Sequence, residues 1–163
     1  MKKTLPFTNL QMAGLLILRF LVGWHVLYEG IAKLQNPAWS SRGFLNESQW
    51  ILSGVADWIV SHPGVLNAVD FLNSWGLIAI GLGVILGLFF RTAAITGAIL
   101  LLIYYLNAPP LAGLDYALPR DGNNLIVDKT LIEAAALALL SLFPTSGTFG
   151  LDRFFQTSKK RKD

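Results

Sequence analysis

Between Met12 and Leu34 the chain reads MAGLLILRFLVGWHVLYEGIAKL, 23 residues of mostly apolar side chains. At about 1.5 Å per residue, a helix of this length crosses a hydrocarbon core of about 30 Å. Four ionisable residues interrupt it: Arg19, His25, Glu29 and Lys33. With about 100° of rotation per residue, they fall at about 0°, 240°, 280° and 320°, inside one arc of about 120°. His25, Glu29 and Lys33 follow one another at four-residue steps, so neighbours can touch. A charge facing lipid costs several kcal/mol, so this stripe has to face protein or a water-filled cavity, and other helices have to cover it.

The remaining chain supplies those helices. Gln35-Asn36-Pro37 stops the first one, and residues 38–47 read as loop. Asn46 and Gln49 have the spacing of a capping box and predict a helix within 46–62. It carries Ile51, Val55, Trp58 and Ile59 on one face, is too short to span, and reads as an interfacial helix ended by Pro63-Gly64. A second span covers about 66–90, with Asn67, Asp70 and Ser74 on one side of its start. In it Ala79, Gly83 and Gly87 recur every four residues, a small-residue ridge suited to close helix packing. The GLGVILG run lacks the strand-turn-helix context of a dinucleotide site. Arg91-Thr92 reads as a tight turn, and 93–107 as a third span ending in Tyr104 and Tyr105. After a loop with Asp115, Tyr116, Arg120 and Asp121, a fourth span runs over 125–143 and opens with Asp128, Lys129 and Glu133. Leu151–Phe155 reads as a short interfacial helix, and 156–163 as a basic tail. The predicted fold is an all-α integral membrane protein, one domain built as a four-transmembrane-helix bundle with an additional interfacial helix.

Composition agrees. Hydrophobic residues make up 53% of the 163-residue chain and charged ones 14%, against about 25% charged in a typical soluble domain. The net charge of +3 sits at the ends of apolar runs and is no nucleic-acid signal. The absence of cysteine removes thiolate and disulfide chemistry and cysteine-held clusters. His25 and His62 are too few for a histidine-rich metal site, and no metal, haem or flavin motif is visible. Lys2 and Lys3 resemble the start of a signal peptide, but the apolar run is long, carries Arg19 and lacks a small-x-small cleavage site, so an uncleaved span is expected. Outside the spans, Lys2, Lys3, Arg91, Arg153, Lys159, Lys160, Arg161 and Lys162 fall on one side, and only Arg42 and Arg120 on the other. The positive-inside rule then puts both termini in the cytoplasm and the two larger loops outside.

This orientation gives depths. From Lys33 near the outer surface, Glu29 lies about 6 Å deeper, His25 about 12 Å and Arg19 about 21 Å. The last span enters from outside, so Asp128 and Lys129 are shallow, with Glu133 about 6 Å below Lys129. The first and last spans are expected to pack together and bring these near-balanced charges around an outward-facing pocket. The candidate catalytic residues are His25, Glu29, Lys33 and Glu133; the candidate ligand-binding residues are Arg19, Asp128 and Lys129. Two readings of the cluster stand: a buried ion network that fixes helix register, or a site for a ligand, proton or electron carrier.

The pattern LRFLVGWHVLYEGIAKLQNP, the glycine-rich second span, LIVDKTLIEAAALALL and the closing GTFGLDRFF together resemble the DoxX family of small bacterial four-span membrane proteins. In the last piece Phe149-Gly150 stands where Tyr-Ser is common in the family. The resemblance implies a four-helix bundle in the cytoplasmic membrane. Some relatives are subunits of a thiosulfate:quinone oxidoreductase, which implies a quinone-linked membrane subunit whose electrons come from a partner. The alternative is a non-catalytic assembly protein whose outer loops, with Trp39, Trp50, Trp58 and Tyr116, dock another protein. Expected partners are membrane lipid and a redox, periplasmic or membrane protein, with oligomerisation left open and no nucleic acid. Whether the chain is itself an enzyme is also left open.

Overall fold

The computed structural model describes residues 7–117, 125–143, 145–147 and 149–153, and every regular element among them is helical. The expected roles of Lys2, Lys3, Arg120, Asp121 and the 156–163 tail lie outside the described residues, as does the end of the Leu151–Phe155 helix. Six α-helices are α1 (Asn9–Gln35), α2 (Arg42–Asn46), α3 (Ser53–Ser61), α4 (Pro63–Leu86), α5 (Phe90–Asn107) and α6 (Lys129–Leu142). A 3₁₀ turn, Thr145–Gly147, follows.

By length and apolar composition α1, α4 and α5 can cross a membrane. Of the expected span over 125–143, only the 14 residues of α6 are helical, about 21 Å of rise. These four helices form a ring. α1 packs most extensively on α4 and α5 on α6, while α1 and α6 meet along a short stretch. The core between them is apolar, with Val26, Leu77, Val84, Phe90, Leu137 and Leu140 buried. The outward faces are apolar too: Ile17, Phe20, Leu21, Trp24 and Tyr28 of α1 are exposed, as a lipid-facing surface requires.

Local chemistry sets the helix ends. Thr8 and Gln11 form a reciprocal capping box, so α1 begins at Asn9 rather than at Met12. Asn36 stops it, its side chain accepting from the Ala38 amide at 3.1 Å. Several expectations are corrected at the boundaries. Asn46 does not cap a helix: it is the last residue of α2, and the side chain of Gln49 donates to the Asp115 carbonyl at 2.6 Å. The expected helix over 46–62 is therefore α3 alone, starting at Ser53. α3 does end just ahead of Pro63-Gly64, at Ser61, and Pro63 also opens α4, because a residue without an N–H suits the first turn, where amides lack partners. The turn expected at Arg91-Thr92 lies at 87–89: Gly87 caps α4 in the left-handed region, φ 67°, and Arg91 and Thr92 belong to α5.

The glycine ridge is corrected in part. Ala79 is exposed and Gly87 lies outside the helix, whereas Gly83 does make a close approach, to α5: a Cβ added there would sit 2.8 Å from the Ala93 Cβ. The close approach of α1 to α4 is made by Gly23 and Gly30 of α1 with Gly81 of α4. A Cβ added at Gly81 would sit 2.6 Å from the Leu27 nitrogen, and one at Gly30 would sit 2.9 Å from both the Ile78 nitrogen and the Ser74 carbonyl oxygen. Backbone cannot yield as a side-chain tip can, so these glycines fix the register of α1 on α4. Gly81→Ala is expected to cost about 1–3 kcal/mol. Gly76→Ala, with nothing within 4 Å of the added carbon, should be tolerated. Thermal unfolding of both variants in mild detergent checks this; equal midpoints would show that α1 and α4 are not locked at Gly81.

Candidate functional site

The polar arc of α1 is divided by the fold into two systems at opposite ends of the bundle. Arg19 is 3% exposed and works at the end carrying the α4–α5 turn. Its Nε donates to the Val84 carbonyl at 2.6 Å, Nη2 to Ile85 at 3.0 Å and Nη1 to Phe149 at 2.8 Å. The guanidinium also lies over the Phe90 ring, 4.7 Å from its centroid. Val84 and Ile85 are in the last turn of α4, where carbonyls have no partner within the helix. The Leu86 carbonyl, next in line, accepts from the Leu151 amide at 3.0 Å. Asp152 completes the arrangement by accepting from the Phe89 and Phe90 amides at 2.7 and 3.2 Å, which caps the start of α5. A cation thus meets a helix C-terminus and an anion a helix N-terminus, as the helix dipoles favour.

At the other end, α1 meets α5 and α6. His25 Nδ1 lies 3.0 Å from the Glu133 carboxylate, a contact that bridges α1 to α6. Its Nε2 lies 3.8 Å from Glu29 on the next turn. These groups line a cavity of about 150 Å³ together with Tyr104, Lys129 and Thr130. Val26, Leu77 and Leu101 form its apolar part. Two carboxylates face Lys129 and His25, so the charges balance when His25 is protonated and leave one excess negative charge when it is neutral.

A second cavity, of about 260 Å³, shares Glu29 and Tyr104 with the first and extends toward the segment joining α1 to α2. Lys33 lies in its wall. Its Nζ donates to Asn73 Oδ1 at 2.8 Å and to the Tyr104 hydroxyl at 3.4 Å, and sits 5.0 Å from the Trp39 ring centroid.

Of the residues predicted from sequence, His25, Glu29, Lys129 and Glu133 come together around the first cavity, and Glu29 and Lys33 around the second. Arg19 and Asp128 line neither. The Asp128 side chain caps α6, accepting from the Leu131 amide at 2.8 Å. Tyr104, Asn73 and Trp39 complete the two cavities without having been singled out by spacing. Asn73 had one available signal, an amide inside the expected second span and three residues after Asp70. Among the described residues, no group of three or more His, Cys, Asp or Glu side chains is placed to hold a metal ion.

A helical membrane bundle with a polar, partly buried cluster between its helices is the class that this architecture defines. The DoxX family model matches residues 14–108, more than half of the chain, and the protein belongs to that family. No curated protein matches the chain, and no solved structure does.

The Arg19 contacts make a stability prediction. Arg19→Met strands three carbonyls and should cost on the order of 3 kcal/mol, since a hydrogen bond to a charged group contributes about 1.5–3 kcal/mol. Arg19→Lys should recover little, because one ammonium cannot reproduce the planar fork. Detergent unfolding midpoints decide: wild-type values for both variants would show that the clasp holds nothing.

Proposed function

We propose that this DoxX protein is the membrane subunit of a quinone-linked redox system, with its proton-exchanging site between α1 and α6. The observation that carries the reading is His25, held 3.0 Å from Glu133 and 3.8 Å from Glu29 inside a cavity of an otherwise apolar bundle. Ionisable groups at such depth are costly and mark functional sites by default. In this reading the chain lies in a bacterial inner membrane with both termini cytoplasmic. α6 serves as a short fourth span, and α3 lies at the outer interface with Val55 and Trp58 turned outward.

The donor set fits a quinone head group. Lys129, Tyr104 and His25 supply hydrogen-bond donors for carbonyl oxygens, and Val26, Leu77 and Leu101 supply an apolar bed for the ring. When bound, a quinone supplies a two-electron, two-proton acceptor; the electrons come from a redox partner. The residues then divide the work. Glu133 orients the imidazole through Nδ1 and balances its charge when protonated. His25 holds the transferable proton, and Glu29, half exposed, connects it to water at the outer surface.

A second reading has its own support. Arg19 and Asp128 are committed to backbone groups, and the apolar face of α3 is exposed at Val55 and Trp58, with Ile51 exposed just before it. On this reading the cluster fixes helix register and the outer surface assembles with a protein partner.

Glu133→Gln separates the two. If the cluster is a site, decylubiquinone binding to the purified protein falls about tenfold or more while the variant stays folded. If it is a register device, Glu133→Gln and Glu29→Gln lower the unfolding midpoint, and in-cell function falls only in proportion to folded protein. Unchanged binding and unchanged stability in both variants would remove both readings. The orientation has a separate check, since the chain has no native cysteine. Arg42→Cys should react with an impermeant maleimide from the outside in intact cells, and labelling only after lysis would invert the topology.

A further inference from the structure

The second cavity, near the outer loop, has features that proton exchange at His25 does not use. Lys33 is a partly buried cation whose nearest polar partners are neutral, the Asn73 amide oxygen and the Tyr104 hydroxyl. Among the described residues no carboxylate oxygen lies within 4.0 Å of its nitrogen; the nearest candidate on the same helix, Glu29, pairs with His25 instead. Glu29, one turn away in the same cavity wall, acts on Lys33 only through space, and the position of Lys33 beside a cavity of about 260 Å³ leaves room for a closer counter-charge to enter.

The cavity is also built rather than incidental. Its roof is the segment from Trp39 to Phe44, and that segment is pinned at two points. The Ser41 amide and hydroxyl both donate to the Asp70 carboxylate on α4. Buried Asn107 of α5 donates to the Phe44 carbonyl at 2.8 Å. The walls are aromatic: Trp39 and Tyr104 face Lys33, and the Phe44 ring meets the Tyr104 ring edge-on at 5.5 Å. Ser40 lines the cavity with its oxygen accepting from the Arg42 amide, so its hydroxyl proton remains available to donate.

We propose that this outer chamber binds a small carboxylate-bearing molecule, with the carboxylate on Lys33 and Ser40 and a flat apolar body against Trp39, Phe44 and Tyr104. One ammonium and one hydroxyl suit a single negative charge. Glu29 in the same wall repels a second one, which disfavours phosphate and sulfate. The same carboxylate would attract an amino group, so a plain aromatic acid and an aromatic amino acid are two sources of the same chemistry. The proposal does not rest on quinone binding: the two cavities share Glu29 and Tyr104, but Lys33, Ser40, Trp39 and Phe44 lie outside the first.

The test uses the full chain in nanodiscs, titrated with benzoate, phenylalanine and sulfate and followed by saturation-transfer NMR. Saturable benzoate or phenylalanine binding in the millimolar range or below is expected, with sulfate failing to compete. Phenylalanine binding more tightly than benzoate places an amino group on Glu29; the reverse order assigns a plain acid. Lys33→Met should weaken binding about tenfold or more. Trp39→Leu should weaken it as well while leaving decylubiquinone binding at the wild-type level, which covers the case in which Lys33→Met fails to fold. No saturation by either probe, or equal affinity in the wild type and Trp39→Leu, would overturn the proposal.

Discussion

A guanidinium inside an apolar bundle has to be solvated by the protein, and this requirement organises one end of the molecule. Arg19 cannot give up its charge, and its fork of donors asks for several acceptors in one plane. The fold provides them where backbone acceptors are in surplus, at the last turn of α4, and adds a third from Phe149. The same need draws residues 149–153 onto the α4–α5 turn, where Leu151 and Asp152 pair with Leu86 and Gly87 through the backbone. Asp152 then caps α5. One buried cation thus ties together the first helix, the central hairpin and a segment more than a hundred residues downstream.

The glycine contact between α1 and α4 carries this order toward the other end. With Gly23, Gly30 and Gly81 setting the distance and register, His25 and Glu29 turn toward α6 and Lys33 toward Asn73 of α4. Backbone contact leaves little freedom for sliding, so the polar groups face fixed partners. α1 and α6, by contrast, meet along a short stretch where His25 and Glu133 supply a polar bridge. The tight α1–α4 seam and the looser α1–α6 seam divide the work: one holds the geometry, and the other leaves space beside titratable groups.

That division explains why two cavities share a wall. Glu29 and Tyr104 border both, with a histidine and carboxylates on one side and a lysine among aromatic rings on the other.

The sequence by itself determined the class, the family and the polar arc. Hydrophobic run length and helical period are local properties, so the three long helices, the common face of Arg19, His25, Glu29 and Lys33, and the pairing of α1 with a helix carrying Glu133 were legible in it. Only the tertiary structure decided what each charge meets. Periodicity names a face but not the neighbour across from it, so Arg19 looked like a member of the cluster until the α4 carbonyls were seen to surround it. Asp128 has a spacing equally suited to a ligand and to a helix cap, and α6 uses it as the cap. The ridge of Ala79, Gly83 and Gly87 and the close packing at Gly81 are alternatives on one helix, separated only by which side α1 approaches. Asn73 and Tyr104 reach Lys33 across 40 and 71 residues of chain, and Asp152 reaches the start of α5 across more than 60, and no local pattern encodes a contact at that range.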